Sequence, residues 1–298
     1  PTIISSPQER ILKNLEIISK AINASPDIKE AIPGIHIEGP FISSEVGPRG
    51  CHDPSFIREP HFEEFIQQQE AAEGRIVMVT IAPEREGSMD FIKKVTRTGV
   101  KIAIGHTGAT PEIIKEAIEA GAQFSTHLGN GSYPILPKVN NYIWEQLAAD
   151  ELFAGIICDG FHLPSSVVKV FARTKGLERL ILTSDVTLAG GLNPGIYKWG
   201  NMEVEVFKDG HLGLAGTGIL AGAGHLLDWD IAHFIRFTGN NLANTIPLCT
   251  INPSKIIKMP HNYGRLEVGA PANLVLFRYQ PGDDRLQITH ALRKGNII

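Results

Sequence analysis

Short apolar runs alternate with helix-like segments along the first part of this 298-residue chain. Strands that alternate with helices at such intervals are typical of parallel β-α-β units, which close into a barrel when eight of them follow one another. Six units can be recognised, two fewer than a closed barrel contains. The apolar runs cover residues 34–38, 75–83, 100–106, 123–127, 154–160 and 180–185. The helix-like segments cover residues 8–24, 60–73, 89–98, 111–120, 142–152 and 164–175.

The first residues of the chain resemble the end of a strand. Pro1 to Pro7 contains the apolar pair Ile3-Ile4 and leads directly into the helix-like segment at 8–24. A chain that starts in the middle of a repeating unit is expected to lack the preceding strands. We therefore expect one full unit, and most of the next strand, to be absent from these 298 residues.

Composition narrows the class of protein. A hydrophobic content of 43% supports a sizeable core, and a net charge of -4 provides no basic stripe for nucleic acid. No apolar run approaches the roughly 20 residues that cross a bilayer. The three cysteines are far apart in sequence, which favours reduced thiols over a disulfide framework. We expect a cytoplasmic protein that binds neither nucleic acid nor membrane.

Three apolar runs end on, or directly before, residues that commonly bind metals. Glu38 ends one run and is followed by Gly39 and Pro40, whereas His106 and His127 end two later runs. In a barrel of parallel strands the carboxyl ends meet at one rim, where the chemistry of such folds takes place. Two imidazoles and one carboxylate leave a fourth position open, as in catalytic zinc sites. Each residue alone would more often be a surface carboxylate or a structural histidine, but their agreement favours a metal site.

Asp185 ends the last apolar run and is not needed to complete this ligand set. A carboxylate beside a bound metal can accept a proton from water and return it to a leaving group. The alternative is an aspartate that only caps a helix or stabilises a loop. Because Asp185 follows the same kind of run as the three ligands, the acid-base role is the favoured interpretation.

Several segments together resemble the N-acetylglucosamine-6-phosphate deacetylase family of the amidohydrolase superfamily. The resemblance extends from Pro1 to Ile298, and the segments are specific in combination although weak singly. They are His36-Ile37-Glu38-Gly39-Pro40, Ile104-Gly105-His106-Thr107, Thr126-His127, Asp159-Gly160-Phe161-His162, Thr183-Ser184-Asp185 and Leu220-Ala221-Gly222-Ala223.

The resemblance implies a fold and a set of functional residues. It implies a TIM-like (β/α)8 barrel over residues 1–262, without its first one to two strands, and part of a small β-sandwich over residues 263–298. Glu38, His106 and His127 would hold a divalent metal, with Zn²⁺ expected although Fe²⁺ or Co²⁺ would also suit these ligands. Asp185 would be the catalytic acid-base residue, and His162 would polarise the substrate carbonyl. The residues implied in substrate binding are His52, Asn130, Gly131, His162, Leu220 and Ala221.

The implied activity is metal-dependent hydrolysis of the N-acetyl amide of an amino sugar, with N-acetylglucosamine-6-phosphate as the expected substrate and a homodimer as the expected assembly. The family usually places an arginine that grips the 6-phosphate after the Thr-His pair, yet residues 128–145 contain no arginine, and Lys138 is their only cation. An ammonium binds phosphate as a point charge rather than as a bidentate fork. The missing arginine leaves open an unphosphorylated or differently phosphorylated sugar and, together with the missing first strand, a sugar-binding homologue without activity. A cyclic amide also stays open as a substrate, because a fold does not determine the substrate.

Overall fold

The structure, a computed structural model, describes residues 1–298 and divides into two compact units, Pro1–Leu152 and Phe153–Ile298. The first unit repeats the strand-helix pattern that the sequence predicts. Its strands are β1 (Thr2–Ile4), β2 (Ile35–Glu38), β3 (Ile76–Ile81), β4 (Lys101–Ile104) and β5 (Ala122–Ser125). Its helices are α1 (Gln8–Ala24), α2 (Pro26–Ala31), α3 (Phe62–Ala71), α4 (Ser88–Arg97), α5 (Pro111–Ala120) and α6 (Tyr142–Ala148).

The five strands of the first unit are parallel and pair in chain order. In the ladder Glu38 lies opposite Thr80, and Ile104 lies opposite Ser125. The carboxyl ends of β2, β4 and β5 therefore reach the same edge of the sheet. This register brings the residues that follow these strands close to one another.

Apolar side chains from the helices pack against this sheet. Ile11 and Leu15 lie one helical turn apart on α1, and both are fully buried, as are Phe65 of α3 and Ile92 of α4. The ring of Phe91 meets that of Phe65 edge-on, with the centroids 6.1 Å apart. Burial of side chains of this size stabilises a fold by about 1.5–3 kcal/mol each. This packing gives the rim of the sheet a rigid support.

Local signals set the ends of several helices as predicted. The hydroxyl of Thr110 accepts a hydrogen bond from the backbone N–H of Ile113, and Pro111 occupies the first position of α5. The predicted helices 8–24 and 111–120 coincide with α1 and α5. The predicted helix 142–152 is shorter in the structure, because Ala149 already has an extended backbone.

The second unit combines two further parallel strands with two antiparallel sheets. Strands β6 (Phe153–Ile156) and β7 (Leu180–Leu182) pair in parallel, as predicted from the last two apolar runs. The sheets contain β8 (Gly195–Trp199), β9 (Met202–Val206) and β10 (Leu212–Leu214), and β11 (Leu274–Arg278), β12 (Gln287–Arg293) and β13 (Asn296–Ile297). The helices are α7 (Ser165–Lys175), α8 (Leu227–Thr238), α9 (Leu242–Thr245) and α10 (Ile251–Ile256).

The last sheet, β11 to β13, lies within the segment 263–298 that was expected to belong to a β-sandwich. The two compact units are divided between residues 152 and 153 of the chain. This division reflects compactness and does not test the predicted boundary between a barrel and a β-sandwich at residue 262. None of the helices combines the length and the apolar character needed to traverse a lipid bilayer.

Candidate metal centre and active-site residues

The predicted metal ligands lie at or just beyond strand ends. Glu38 is the last residue of β2, whereas His106 and His127 each lie two residues beyond the ends of β4 and β5. Six residues other than glycine have a positive φ in this chain, and His106, His127 and Asp185 are three of them. Such backbone conformations cost of order 1–3 kcal/mol and cluster at functional sites. Half of these strained positions therefore coincide with residues that were predicted to be functional.

The side chains of Glu38, His106 and His127 converge in a buried cluster. Nε2 of His127 lies 2.9 Å from Oε1 of Glu38 and 3.0 Å from Nε2 of His106. Nε2 of His106 lies 3.3 Å from the same carboxylate oxygen. The potential ligand atoms of all three residues lie within 4.8 Å of one another. The structure thus brings together the three residues that the sequence predicted to share one site.

A backbone carbonyl orients His106 towards this cluster. Nδ1 of His106 lies 2.9 Å from the carbonyl oxygen of Pro48. Since a carbonyl can only accept, Nδ1 carries the proton and Nε2 keeps its lone pair in the neutral ring. This arrangement, with one ring nitrogen bonded to a carbonyl and the other free to coordinate, is typical of metal-binding histidines.

The carboxylate of Glu38 is suited to the same role. Burial by itself raises the pKa of this carboxyl group, but its interactions with the imidazoles of His106 and His127 outweigh burial, so that the pKa lies well below its usual range. Glu38 therefore supplies a negative charge in a position that is 5% exposed. A buried anion requires a compensating charge, which a divalent cation between the three side chains would provide.

The spacing of the three ligand atoms also fits a metal ion. Ligands about 2.0–2.1 Å from a tetrahedral zinc ion are separated from one another by about 3.4 Å. The three separations of 2.9, 3.0 and 3.3 Å fall slightly below this value. A small outward movement of the side chains would accommodate the ion, so the residues present fit a divalent metal.

Three of the predicted substrate-binding residues surround this cluster. The ring of His52 meets that of His106 edge-on at 4.5 Å, and burial lowers the pKa of His52 to about 3, which keeps it neutral. Asn130 donates from its side chain to the carbonyl of His127 at 3.2 Å. Gly131 approaches the ring of His106 so closely that an added Cβ would lie 2.7 Å from Nδ1. A small cavity in the first unit is lined by His106, Asn130 and Gly131.

In the second unit, His162 is held by Asp159 within a single loop. Nδ1 of His162 lies 2.7 Å from Oδ2 of Asp159. The other oxygen of Asp159 accepts hydrogen bonds from the backbone N–H groups of Phe161 and His162, both at 2.9 Å. Burial raises the pKa of Asp159, but the bonds from His162 and from the backbone outweigh it, and the net pKa is lowered. Asp159 is therefore an ionised acceptor, and Nδ1 of His162 carries a proton.

Asp185 and the Leu220–Ala223 segment lie side by side in the second unit. The backbone carbonyl of Asp185 accepts a hydrogen bond from the N–H of Ala223 at 2.9 Å. Ala221, which is fully buried, donates to the carbonyl of Leu212 at 3.2 Å. The predicted catalytic residue Asp185 and the predicted substrate-binding residues Leu220 and Ala221 thus belong to one local structure.

Sequence reasoning missed several residues that hold the site in place. Ser5 contributes a hydroxyl 2.8 Å from Nδ1 of His52, and the carbonyl of Pro48 orients His106. Glu84 accepts from the hydroxyl of Thr107 at 2.5 Å and from the N–H of Gly108 at 2.7 Å, which fixes the loop after His106. Only Glu84 offered a signal, because it directly follows the Ala-Pro end of an apolar run.

Known proteins with a similar sequence or structure cover the whole chain. The model of the amidohydrolase family matches residues 12–298. The N-acetylglucosamine-6-phosphate deacetylase of Bos taurus is 30% identical over 313 residues, covering 100% of this chain and 72% of that protein. The crystal structure of N-acetyl-D-glucosamine-6-phosphate deacetylase from Mycobacterium smegmatis has a TM-score of 0.90 at 29% identity, covering 100% of this chain and 76% of that one. A mutant of the mycobacterial enzyme in complex with N-acetyl-D-glucosamine-6-phosphate has a TM-score of 0.89 at 29% identity, with coverage of 99% and 75%.

This similarity confirms the predicted fold class, a TIM-like barrel with further antiparallel strands towards the C-terminus. The chain spans about three quarters of the length of these relatives. The match to the family model and the identity to the bovine enzyme confirm the family that the sequence segments indicated. The chain belongs to the amidohydrolase family and, within it, to the N-acetylglucosamine-6-phosphate deacetylases.

Proposed function

We propose that this chain hydrolyses the N-acetyl amide of N-acetylglucosamine-6-phosphate, which yields glucosamine-6-phosphate and acetate. The observation that carries the proposal is the buried cluster of Glu38, His106 and His127. It occurs in a chain that is similar over its whole length to deacetylases of this substrate. A mycobacterial relative has been solved in complex with the same phosphorylated sugar, which supports the choice of substrate.

In this proposal Glu38, His106 and His127 hold one divalent ion, and Zn²⁺ is the first candidate because its usual ligands include imidazole and carboxylate. A metal ion held by these residues would polarise the amide carbonyl and would make the attacking water more acidic. The carbonyl of Pro48 keeps the His106 imidazole oriented, and the charge of Glu38 offsets part of the charge of the ion.

The side chain of Asp185 moves the proton. It accepts a proton from the attacking water and later donates it to the nitrogen of the departing amine, so that the carboxylate is restored at the end of each cycle. The C–N bond breaks, and the water oxygen remains in the acetate. The hydrogen bond between the N–H of Ala223 and the carbonyl of Asp185 fixes the backbone from which this side chain projects.

His162 stabilises the negative charge that develops on the carbonyl oxygen. Asp159 occupies Nδ1 of the imidazole, so Nε2 is the nitrogen available to the substrate. A hydrogen bond from Nε2 to the oxygen requires a proton on this nitrogen in addition to the one that Nδ1 shares with Asp159. Donors directed at a developing oxyanion typically contribute 10²–10³ in rate.

The remaining residues complete the proposed site. His52, Asn130, Gly131, Leu220 and Ala221 are proposed to contact the substrate. A homodimeric assembly, a cytoplasmic location and a division between a catalytic part, 1–262, and a β-sandwich part, 263–298, also remain predictions.

The test measures acetate release by the metal-loaded protein from N-acetylglucosamine-6-phosphate and from the unphosphorylated sugar, with galactosamine and mannosamine analogues in parallel. We expect the phosphorylated sugar to react fastest. Asp185→Asn is expected to lower kcat by about 10²–10⁴ while the metal content stays at that of the parent protein. Asp90→Asn is a matched control, because Asp90 is exposed and its ion pair with Lys94 on the surface contributes little to stability.

Other outcomes would point to the alternatives. Hydrolysis of only the unphosphorylated sugar would refute the proposed phosphorylated substrate and would explain why residues 128–145 contain no arginine. A protein that binds sugar but neither hydrolyses it nor retains a stoichiometric metal would be a binding homologue. Full activity of Asp185→Asn would refute the acid-base role.

A further inference from the structure

The first turn of α8 holds the backbone from which the Asp159–His162 loop begins. The indole Nε1–H of Trp229 donates to the carbonyl oxygen of Asp159 at 3.0 Å. The neighbouring Asp230 accepts, through Oδ1, a hydrogen bond from the backbone N–H of Cys158 at 2.8 Å. Two consecutive residues of one helix therefore bind two consecutive residues of the loop.

A stack of aromatic and imidazole rings fixes the orientation of the Trp229 indole. His225 lies on one side with the ring centroids 4.1 Å apart and the planes at 9°, and His233 follows at 4.5 Å and 19°. His225 also stacks with Phe161 at 5.9 Å, next to His162 in sequence. Because both neighbours are nearly parallel to the indole, its rotation is restricted and its N–H stays directed at Asp159.

Asp230 is an unusual residue for a purely structural position. Its side chain is fully buried, and Oδ2 has no hydrogen-bond partner. Burial raises the pKa of this carboxyl group well above its usual range, so the neutral acid is favoured. An apolar residue would avoid the cost of the unpaired oxygen, whereas only an acceptor can bind the N–H of Cys158. The geometry therefore favours a role for the acceptor beyond filling the core.

We propose that Trp229 and Asp230 are positioning residues for the reaction: they fix the backbone of Cys158 and Asp159 and thereby the imidazole that Asp159 holds. This inference rests on the proposed role of His162 in catalysis. The chain of contacts runs from α8 to the carbonyl and N–H groups of the loop, then through the Asp159 carboxylate to Nδ1 of His162. A displacement of well under 1 Å at His162 would weaken a hydrogen bond that matters most in the transition state.

The experiment replaces Trp229 by Phe, which keeps a ring in the stack and removes only the N–H donor. Trp144→Phe is the matched control, since the indole of Trp144 also donates to a backbone carbonyl, that of Lys138, but in an exposed position. For the metal-loaded enzyme with N-acetylglucosamine-6-phosphate, we expect Trp229→Phe to lower kcat by about 10- to 100-fold with little change in KM. Trp144→Phe should leave both unchanged.

A double-mutant cycle with His162→Gln separates positioning from general stabilisation. If Trp229 acts through His162, Trp229→Phe has no further effect on kcat once His162 is replaced. An equal loss in both backgrounds, or a kcat of Trp229→Phe equal to that of Trp144→Phe, would overturn the proposal. Asp230→Asn, which keeps an acceptor oxygen, should retain activity, whereas Asp230→Leu should lose it; equal activities for these two would also count against the role of Asp230.

One further measurement distinguishes failure of this inference from failure of the proposed function. The imidazole signals of His162 in a ¹⁵N NMR spectrum report its hydrogen bond to Asp159 without reference to activity. We expect these signals to shift in Trp229→Phe and to stay in place in Trp144→Phe. If they shift while His162→Gln remains fully active, the positioning holds and the catalytic role of His162 is wrong. If they do not shift, the positioning is wrong whatever the activity.

Discussion

Replacement of Gly131 by alanine tests whether the packing around His106 serves metal binding. Gly131 has a φ of +55°, and a Cβ at this position would lie 2.7 Å from Nδ1 and 3.1 Å from Cε1 of His106. Ordinary contact begins near 3.4 Å, so the ring would have to retreat by about 0.7 Å. The same movement strains the 2.9 Å hydrogen bond between Nδ1 and the carbonyl of Pro48.

The expected loss of metal affinity follows from the small displacement of a ligand that a bound metal ion tolerates. Metal–ligand distances vary by about ±0.2 Å, well below the expected displacement. Disturbing the residues that orient a ligand typically weakens metal affinity by about 10- to 100-fold, or about 1.4–2.8 kcal/mol. The left-handed backbone of Gly131 adds a further cost of about 1–2 kcal/mol in stability for any residue with a Cβ.

Gly74→Ala separates the two costs. Gly74 has a φ of +77°, but a Cβ there would meet nothing within 4 Å, so only the backbone cost remains. The assay is competition for the metal between the protein and a chelator, with urea unfolding of both variants measured in parallel. We expect both variants to lose stability and only Gly131→Ala to lose metal affinity. If Gly131→Ala keeps the metal as tightly as Gly74→Ala does, the argument from the 2.7 Å contact is wrong.

Three further predictions concern residues outside the cluster of Glu38, His106 and His127. Glu84→Gln should destabilise the protein by about 1–3 kcal/mol in urea unfolding, because the two donors, Thr107 and Gly108, meet different carboxylate oxygens and glutamine replaces one of these oxygens by an NH₂ group. Glu86→Gln, at an exposed neighbouring position, is the control. Burial raises the pKa of Cys249 to about 12, so this partly buried thiol should be alkylated much more slowly in native protein at pH 8 than in the unfolded chain, as mass spectrometry would reveal. The unfolded chain releases this proton first, so stability should fall as the pH rises from about 9 towards 12. The raised pKa of Asp230 predicts a contribution to the free energy of unfolding that is present below about pH 4 and lost as the pH rises. Asp230→Asn should therefore be more stable than the parent protein at pH 8 and equally stable near pH 4. Equal stability of the two proteins at both pH values would contradict the raised pKa.

The sequence predicted that Glu38, His106 and His127 would lie together because each of them is tied to the end of an apolar run. Glu38 ends β2 itself, and His106 and His127 follow their strands by two residues. In parallel strands that pair in chain order, such a short distance leaves the side chains little freedom to lie elsewhere. Periodicity therefore fixed both the strands and the edge at which the three residues meet.

The same reasoning could not find the groups that orient these ligands. The carbonyl of Pro48 is 58 positions from His106 in sequence, and Ser5 is 47 positions from His52. Every residue has a carbonyl, so nothing in the residue type distinguishes Pro48 as a partner. Strand β8 was missed for another reason: it is largely exposed and lacks the apolar run that a buried strand contains.

Two glycines allow the backbone to approach the ring of His106 closely and thereby help to determine its orientation. The ring of His106 lies between Gly131 and Gly50, where a Cβ would be 2.7 and 3.2 Å from ring atoms. Both have positive φ, and His106 itself has a φ of +51°. The imidazole is thus confined by backbone on two sides and by the carbonyl of Pro48 at Nδ1, so only Nε2 remains for coordination. A histidine held in this way can be oriented before a metal binds, which reduces the conformational entropy lost on binding. The packing of backbone around the imidazole should therefore determine metal affinity as much as the identity of the ligands does.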